Sequence, residues 1–188
     1  MDLASAYLRD IVRTFRNYRT LGERALAQVA DEQLFVVLGE ESNSLAVIVN
    51  HVAGNLRSRF TDFLTSDGEK PGRNRDAEFE APPYGTRTDL QAAWNAAWTV
   101  TMAAVESLAP EDLSRTIYIR REAFLVVEAL NRSATHTAYH VGQMVFLAKQ
   151  FAGAQWTSLS IPRGRSADFG LGQFKQGIVP TAGPSTRE

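Results

Sequence analysis

Apolar residues return at three- and four-residue steps from the start of the chain. Leu3, Tyr7, Ile11, Phe15, Tyr18, Leu21, Ala25 and Val29 fall on one stripe, with arginines on the other faces. That period marks a long amphipathic helix over about 3–29. A second helix is expected from "EESNS", where Ser42, Asn43 or Ser44 can cap free amides, through about Thr65 to the "SDG" turn. The stretch 67–85, "DGEKPGRNRDAEFEAPPYG", holds three Gly and three Pro with no sustained period, and predicts a long connection. Thr88 and Gln91 have capping-box spacing ahead of a third helix on which Leu90, Trp94, Ala97, Trp98, Thr101 and Val105 form the apolar face. In "SRTIYIRREAFLV" Ile117 and Ile119 alternate with polar neighbours, which predicts a short β-hairpin or extended excursion. A fourth helix follows from about Phe124 to Phe151 and stops at Gly153. The Gly-, Pro- and Ser-rich remainder carries Trp156, Leu159, Ile161, Phe169 and Phe174 as spaced anchors of a wrapping tail with a disordered end. The expected fold class is all-α: a four-helix bundle with long connections over 1–170, and a C-terminal tail over 171–188.

Composition narrows the chemistry. A chain of 188 residues, 44% hydrophobic, supports one core. A net charge of −1 offers no footprint for nucleic acid or an anionic membrane, so neither partner is expected. With no cysteine there is no disulfide and no thiolate nucleophile, and any metal must be held by nitrogen and oxygen. The N-terminal stretch is too interrupted by charge for a signal peptide and no apolar run approaches membrane-spanning length, so a cytoplasmic protein is expected.

The chain has three histidines, and all stand where a helix would bury Leu or Ala: His51 in "SLAVIVNHVAGNLRSRF", His136 and His140 in "NRSATHTAYHVGQMVFL". At 100° per residue His136 and His140 are about 40° apart around the helix and roughly 6 Å apart along it, so they share a face. Leu125, Ala129, Ser133, Gln143, Leu147 and Phe151 fall on that same inward stripe. Around His51 the aligned positions are apolar before it (Val47, Ile48) and polar after it (Asn55, Ser58, Asp62), the pattern of a polar cavity rather than a packed core. Unpartnered buried imidazoles would cost about 1–3 kcal/mol each. A shared divalent ion removes that penalty; satisfied core histidines are the plainer alternative. The intervening "TAY" lacks the glutamate of an HExxH protease.

Three segments together, "NHVAGNLRSRFTDFLTSDGEKPGRNRDAEFE", "HTAYHVGQMVFLAK" and "TSLSIPRGRS", resemble one branch of the DinB/YfiT-like superfamily of damage-inducible, metalloenzyme-type bundles, over about residues 5–170. The resemblance implies a four-helix bundle and a divalent metal, zinc or nickel, on His51, His136 and His140. It also implies a homodimer. Related members include transferases of low-molecular-weight thiols and a thiol-dependent isomerase, whereas this branch has no assigned activity. The expected function is therefore a metal-dependent enzyme with an open three-histidine site that transfers a low-molecular-weight thiol to, or hydrolyses, a small electrophile. The rival is a non-catalytic bundle that binds a metal or small ligand in stress-related sensing or storage.

Three neutral imidazoles leave open coordination positions, the arrangement of a catalytic site. Asn55, Ser58, Asp62 and Gln143 are the candidates to line the substrate pocket, with Gln143 or Ser133 able to orient a ligand histidine. No catalytic residue is assigned. Any thiol must be a cosubstrate, because the chain has none of its own. Arg57, Arg59, Arg73, Arg75, Arg163 and Arg165 either gather at the pocket mouth to read acidic groups or pair with nearby carboxylates. Trp94 and Trp98, four residues apart, are expected in the core or a dimer interface rather than as a substrate platform. Together with Phe15 and Tyr18 they supply the surface reason to expect a dimer.

Overall fold

The computed structural model describes residues 2–80 and 82–168. Its elements are helix α1 (Leu3–Leu26), α2 (Leu45–Phe60), α3 (Arg87–Glu106), strands β1 (Thr116–Ile119) and β2 (Glu122–Leu125), and α4 (Val126–Ala152), with short 3₁₀ turns between them. The helices form a bundle in which α2 packs most extensively on α3 and α1 on α4, while α2 also faces α4. Among the described residues no helix is long and apolar enough to cross a membrane.

Local chemistry sets the helix starts. Asp2 accepts from the Ser5 N–H, Ser44 from the Val47 N–H, and Thr86 from the Asp89 N–H. The expected box of Thr88 and Gln91 is not the one used. Thr86 and Asp89 close the start of α3 two residues earlier, with the Thr86 hydroxyl donating to Asp89 Oδ2 at 2.7 Å. At the start of α4, Glu128 reaches back to accept from the Leu125 N–H at 2.7 Å. Gly153, at φ 51, ends α4 as its position predicts.

The second helix is shorter than its pattern suggests. Thr61 turns extended and Asp62 takes a left-handed φ of 48, so α2 stops at Phe60 and residues 61–65 form turns. Asp tolerates that conformation better than most non-glycine residues. Beyond it the 67–85 connection folds back over α2 and delivers a 3₁₀ turn, Asp76–Phe79, onto the helix.

Aromatic packing fixes the centre of the bundle. Phe15 makes edge contacts with Phe60 at 5.6 Å and Trp98 at 6.2 Å, and Trp94 meets Trp98 at 5.6 Å. A Cβ on Gly22 would sit 2.7 Å from the Trp94 ring, so α1 approaches α3 this closely only because residue 22 has no side chain. Phe15, Trp94 and Trp98 are at most 1% exposed within one chain. They are core, which takes three of the four aromatics out of the argument for a second copy and leaves the half-buried Tyr18. The C-terminal segment does lie back on the bundle: Leu159 is buried, and Trp156 packs against the core from a half-buried position. The anchors Phe169 and Phe174, and the tail boundary at 170, lie outside the described residues.

Candidate metal centre

His51 occupies the middle of α2, and His136 and His140 stand one turn apart on the facing side of α4. Their ring nitrogens converge: one ligand atom from each histidine lies within 4.8 Å of the others. His51 Nε2 and His136 Nε2 are 3.1 Å apart. Two donors on one tetrahedral zinc would be roughly 3.3 Å apart at ordinary Zn–N lengths. The donor set fits a borderline divalent ion such as zinc or nickel, being all imidazole nitrogen.

The outer nitrogens of two rings are already engaged. His51 Nδ1 donates to Glu78 Oε2 at 2.8 Å, and His140 Nδ1 donates to Gln143 Oε1 at 2.9 Å. Placing the proton on Nδ1 leaves the Nε2 lone pair directed at the cluster, which is how a carboxylate or amide behind a histidine prepares it for a metal. Glu78 is itself clamped. Arg73 donates to both its oxygens, at 2.7 and 2.8 Å, and Asn50 donates to its backbone carbonyl at 3.1 Å. Burial alone pushes the Glu78 carboxyl up; the hydrogen bonds from Arg73 and His51 outweigh it and hold the group below its usual range. A Cβ on Gly54 would collide with Glu78 Oε1, so Glu78 reaches His51 across a position that only glycine leaves open.

Burial lowers His136 to about 3, helped by its histidine neighbours. Burial likewise lowers His140, more than its Gln143 hydrogen bond restores. Both are neutral at physiological pH, the form a metal requires.

The histidines line an open cavity of about 830 Å³, in the range that holds small organic ligands. Asn55, Ser133 and Gln143 line it too. Ser58 and Asp62 do not. The Ser58 hydroxyl donates to the Gly68 carbonyl at 2.8 Å and accepts from the Lys70 N–H at 3.1 Å, holding the connection to α2, and Ser58 lines a smaller pocket beside Gly54 and Glu78. Asp62 is an exposed turn residue, because α2 ends before its helical register could carry the side chain inward. Of the six arginines singled out, Arg59, Arg73 and Arg75 line the cavity, Arg57 lines the smaller pocket, and Arg163 and Arg165 line neither. Arg120 and Arg132 line the cavity as well. A second groove of about 560 Å³, with Leu38, Ile48 and Phe146 in its wall, shares Asn43, Tyr139 and Gln143 with the first.

Glu78, Arg120 and Arg132 are not among the site residues expected from the sequence. Arg132 lies one turn before His136 and could have been found from that register. Glu78 and Arg120 sit in non-helical segments, where no period connects them to a histidine.

Comparison with known proteins bears on the fold. The structure resembles that of a DinB-like protein, YjoA, from Bacillus subtilis, with a TM-score of 0.58 at 18% identity, covering 75% of this chain and 91% of that one. No curated protein matches. Residues 2–165 match the model of the protein family of unknown function DUF1572. A bundle with a short hairpin before its last helix thus has the fold of a DinB-like protein and a family match over most of its length, and the chain belongs to the family of unknown function DUF1572.

Proposed function

We propose that this protein is a divalent-metal-dependent enzyme acting on a small electrophile, either by transferring a low-molecular-weight thiol to it or by hydrolysing it. The observation that carries the reading is the convergence of three histidine nitrogens within 4.8 Å, on the wall of an open cavity. A purely structural ion would be closed off by a fourth protein ligand, and among the described residues no further His, Cys, Asp or Glu joins the cluster.

Zinc or nickel bound there would supply Lewis acidity, making a water or thiol easier to ionise near neutral pH. The chain's own residues do the positioning. Glu78 and Gln143 hold His51 and His140 in the Nδ1–H tautomer, and Arg73 keeps Glu78 ionised. In thiol transfer, sulfur attacks the electrophilic carbon, a C–S bond forms, the leaving group departs with the bonding pair and the thiol proton passes to solvent. In hydrolysis, water takes the place of the thiol. Since the chain has no cysteine, the sulfur nucleophile comes from a cosubstrate.

The reading is tested by assaying zinc- and nickel-loaded protein on 1-chloro-2,4-dinitrobenzene with added cysteine as the thiol, and on 4-nitrophenyl acetate without it. Turnover that disappears with a chelator and in His136→Ala is expected on one substrate. Equal turnover in metal-free and loaded protein would remove the metal from the reaction.

A further inference from the structure

Five arginines, Arg59, Arg73, Arg75, Arg120 and Arg132, line the histidine cavity, and no Asp or Glu among the described residues does. The guanidiniums divide into two groups. Arg59 and Arg73 are nearly buried, with side chains 9% and 6% exposed, and their donors are taken by Glu69, Glu78 and the Gly68 carbonyl. They are scaffold.

The other three are exposed and come from three separate elements. Arg75 precedes the 3₁₀ turn of the connection, lies over the Phe79 ring at 5.0 Å, and among the described residues has only the Asp76 carboxylate, itself 94% exposed, at 3.6 Å. Arg120 sits at the hairpin tip and gives its Nε to Glu69 at 3.0 Å, an acid already shared with Arg59 and Arg73. Arg132, on α4, stacks over Phe124 at 5.8 Å and has no carboxylate partner among the described residues. The five guanidiniums have three carboxylates as ion-pair partners, Glu69, Glu78 and Asp76, which leaves two of their positive charges unmatched on a chain whose net charge is −1. An excess of one sign, focused in a cleft, draws in ligands of the other. Planar forks with unused N–H groups match the two oxygens of a carboxylate or phosphate.

We infer that the cavity recognises a small anionic substrate, its carboxylate or phosphate held at the rim by Arg75, Arg120 and Arg132 with the rest of the molecule directed toward the histidines. The inference names the substrate class of the reaction proposed above, and rests on that reading for the chemistry but not for the binding. Arg59 and Arg73 shape the wall behind it.

Calorimetric titration of chelator-stripped, full-length protein with succinate, with inorganic phosphate and with the neutral analogue succinamide tests it. Saturable binding of succinate, phosphate or both is expected, with none of succinamide, and affinity should fall as salt rises through roughly 20–200 mM. Arg75→Ala and Arg132→Ala should each weaken binding about tenfold, as loss of one charge-assisted contact does. Arg132→Lys should recover part of it. Preference for phosphate or for succinate identifies which oxyanion the rim is built for, and either supports the inference. His136→Ala should lose metal but keep anion binding, so the metal reading can fail while this one stands. No saturable binding of either anion, unchanged affinity in both alanine variants, or equal binding of succinamide would overturn it.

Discussion

Glu78 is the residue on which the geometry of the cluster turns. It fixes the His51 tautomer at 2.8 Å, it is held by both arms of Arg73, and it fits only because residue 54 is glycine. A carboxylate behind a metal-binding histidine raises the basicity of the ring and sets its orientation. Glu78→Gln keeps the shape but not the charge, and should weaken metal affinity about tenfold; Glu78→Ala, which also takes from Arg73 the nearer of its two carboxylate partners, should weaken it toward about a hundredfold. Competition against a chromophoric chelator measures both, and an unchanged affinity in Glu78→Ala would show that the carboxylate has no part in preparing His51. Gly54→Ala should act like a milder Glu78 variant, because its new methyl group meets Oε1. At this scale the sequence was partly legible. The three histidines and Gln143 follow from helical register, since a turn of helix carries i and i+3 or i+4 to one face. Glu78 does not, because its place depends on how a connection without periodicity folds back.

The hairpin shows the same division among elements. Alternation at Ile117 and Ile119 predicts it, and both side chains are buried. What alternation cannot predict is the turn. Arg120 and Arg121 take φ values of 56 and 66, the left-handed pair of a type I′ turn usually filled by Asn-Gly. Asp67 braces them by accepting from both backbone N–H groups, at 2.9 and 2.8 Å. Left-handed conformation costs a bulky residue about 1–2 kcal/mol, so the tip stores strain beside the cavity it lines. Arg121→Gly should therefore stabilise the fold by about 0.5–1 kcal/mol, after the entropy that glycine loses on folding. Its succinate and phosphate binding should stay as in the parent, because Arg121 does not line the cavity. Arg120→Gly should gain similar stability while losing anion affinity. Urea unfolding of the two variants checks this: a loss of stability in both would mean that the turn carries no strain to release. The early end of α2 has the same kind of cause. Asp62 lies on the polar side of the helical pattern, but its left-handed backbone ends the helix first, and that choice is invisible to a period count.

For the whole molecule, the buried histidines make stability depend on acidity in a definite direction. In the unfolded chain His136 takes up a proton below about 6.5, whereas in the fold it stays neutral down to about 3. Between those values the unfolded state binds the extra proton, so the contribution of His136 is present in full above about 6.5 and is lost as pH falls toward 3. His140, also lowered, acts in the same sense. Metal-free protein should lose stability progressively from pH 6.5 downward, in urea midpoints taken at intervals of pH. His136→Gln should flatten the upper part of that slope, leaving the steeper loss at lower pH, where Glu69, Glu78 and Asp67, all held below their usual range, become protonated. A parent slope retained in His136→Gln would contradict the assignment. The bundle itself was legible because four amphipathic stripes must share one core. The cavity was legible only as a hint, in the polar residues that follow His51.

That these three histidines form one metal site is the central claim, and metal stoichiometry tests it most directly. Protein purified without added ions, stripped and titrated with zinc in parallel with His51→Ala, His136→Ala and His140→Ala, should bind one ion per chain in the parent. Each variant should bind far more weakly, and the double variants should be scarcely worse than the singles, since a site broken once has little left to lose. Circular dichroism should show the helices retained in every variant. Zinc bound at full stoichiometry and unchanged affinity after any single histidine is removed would contradict the account.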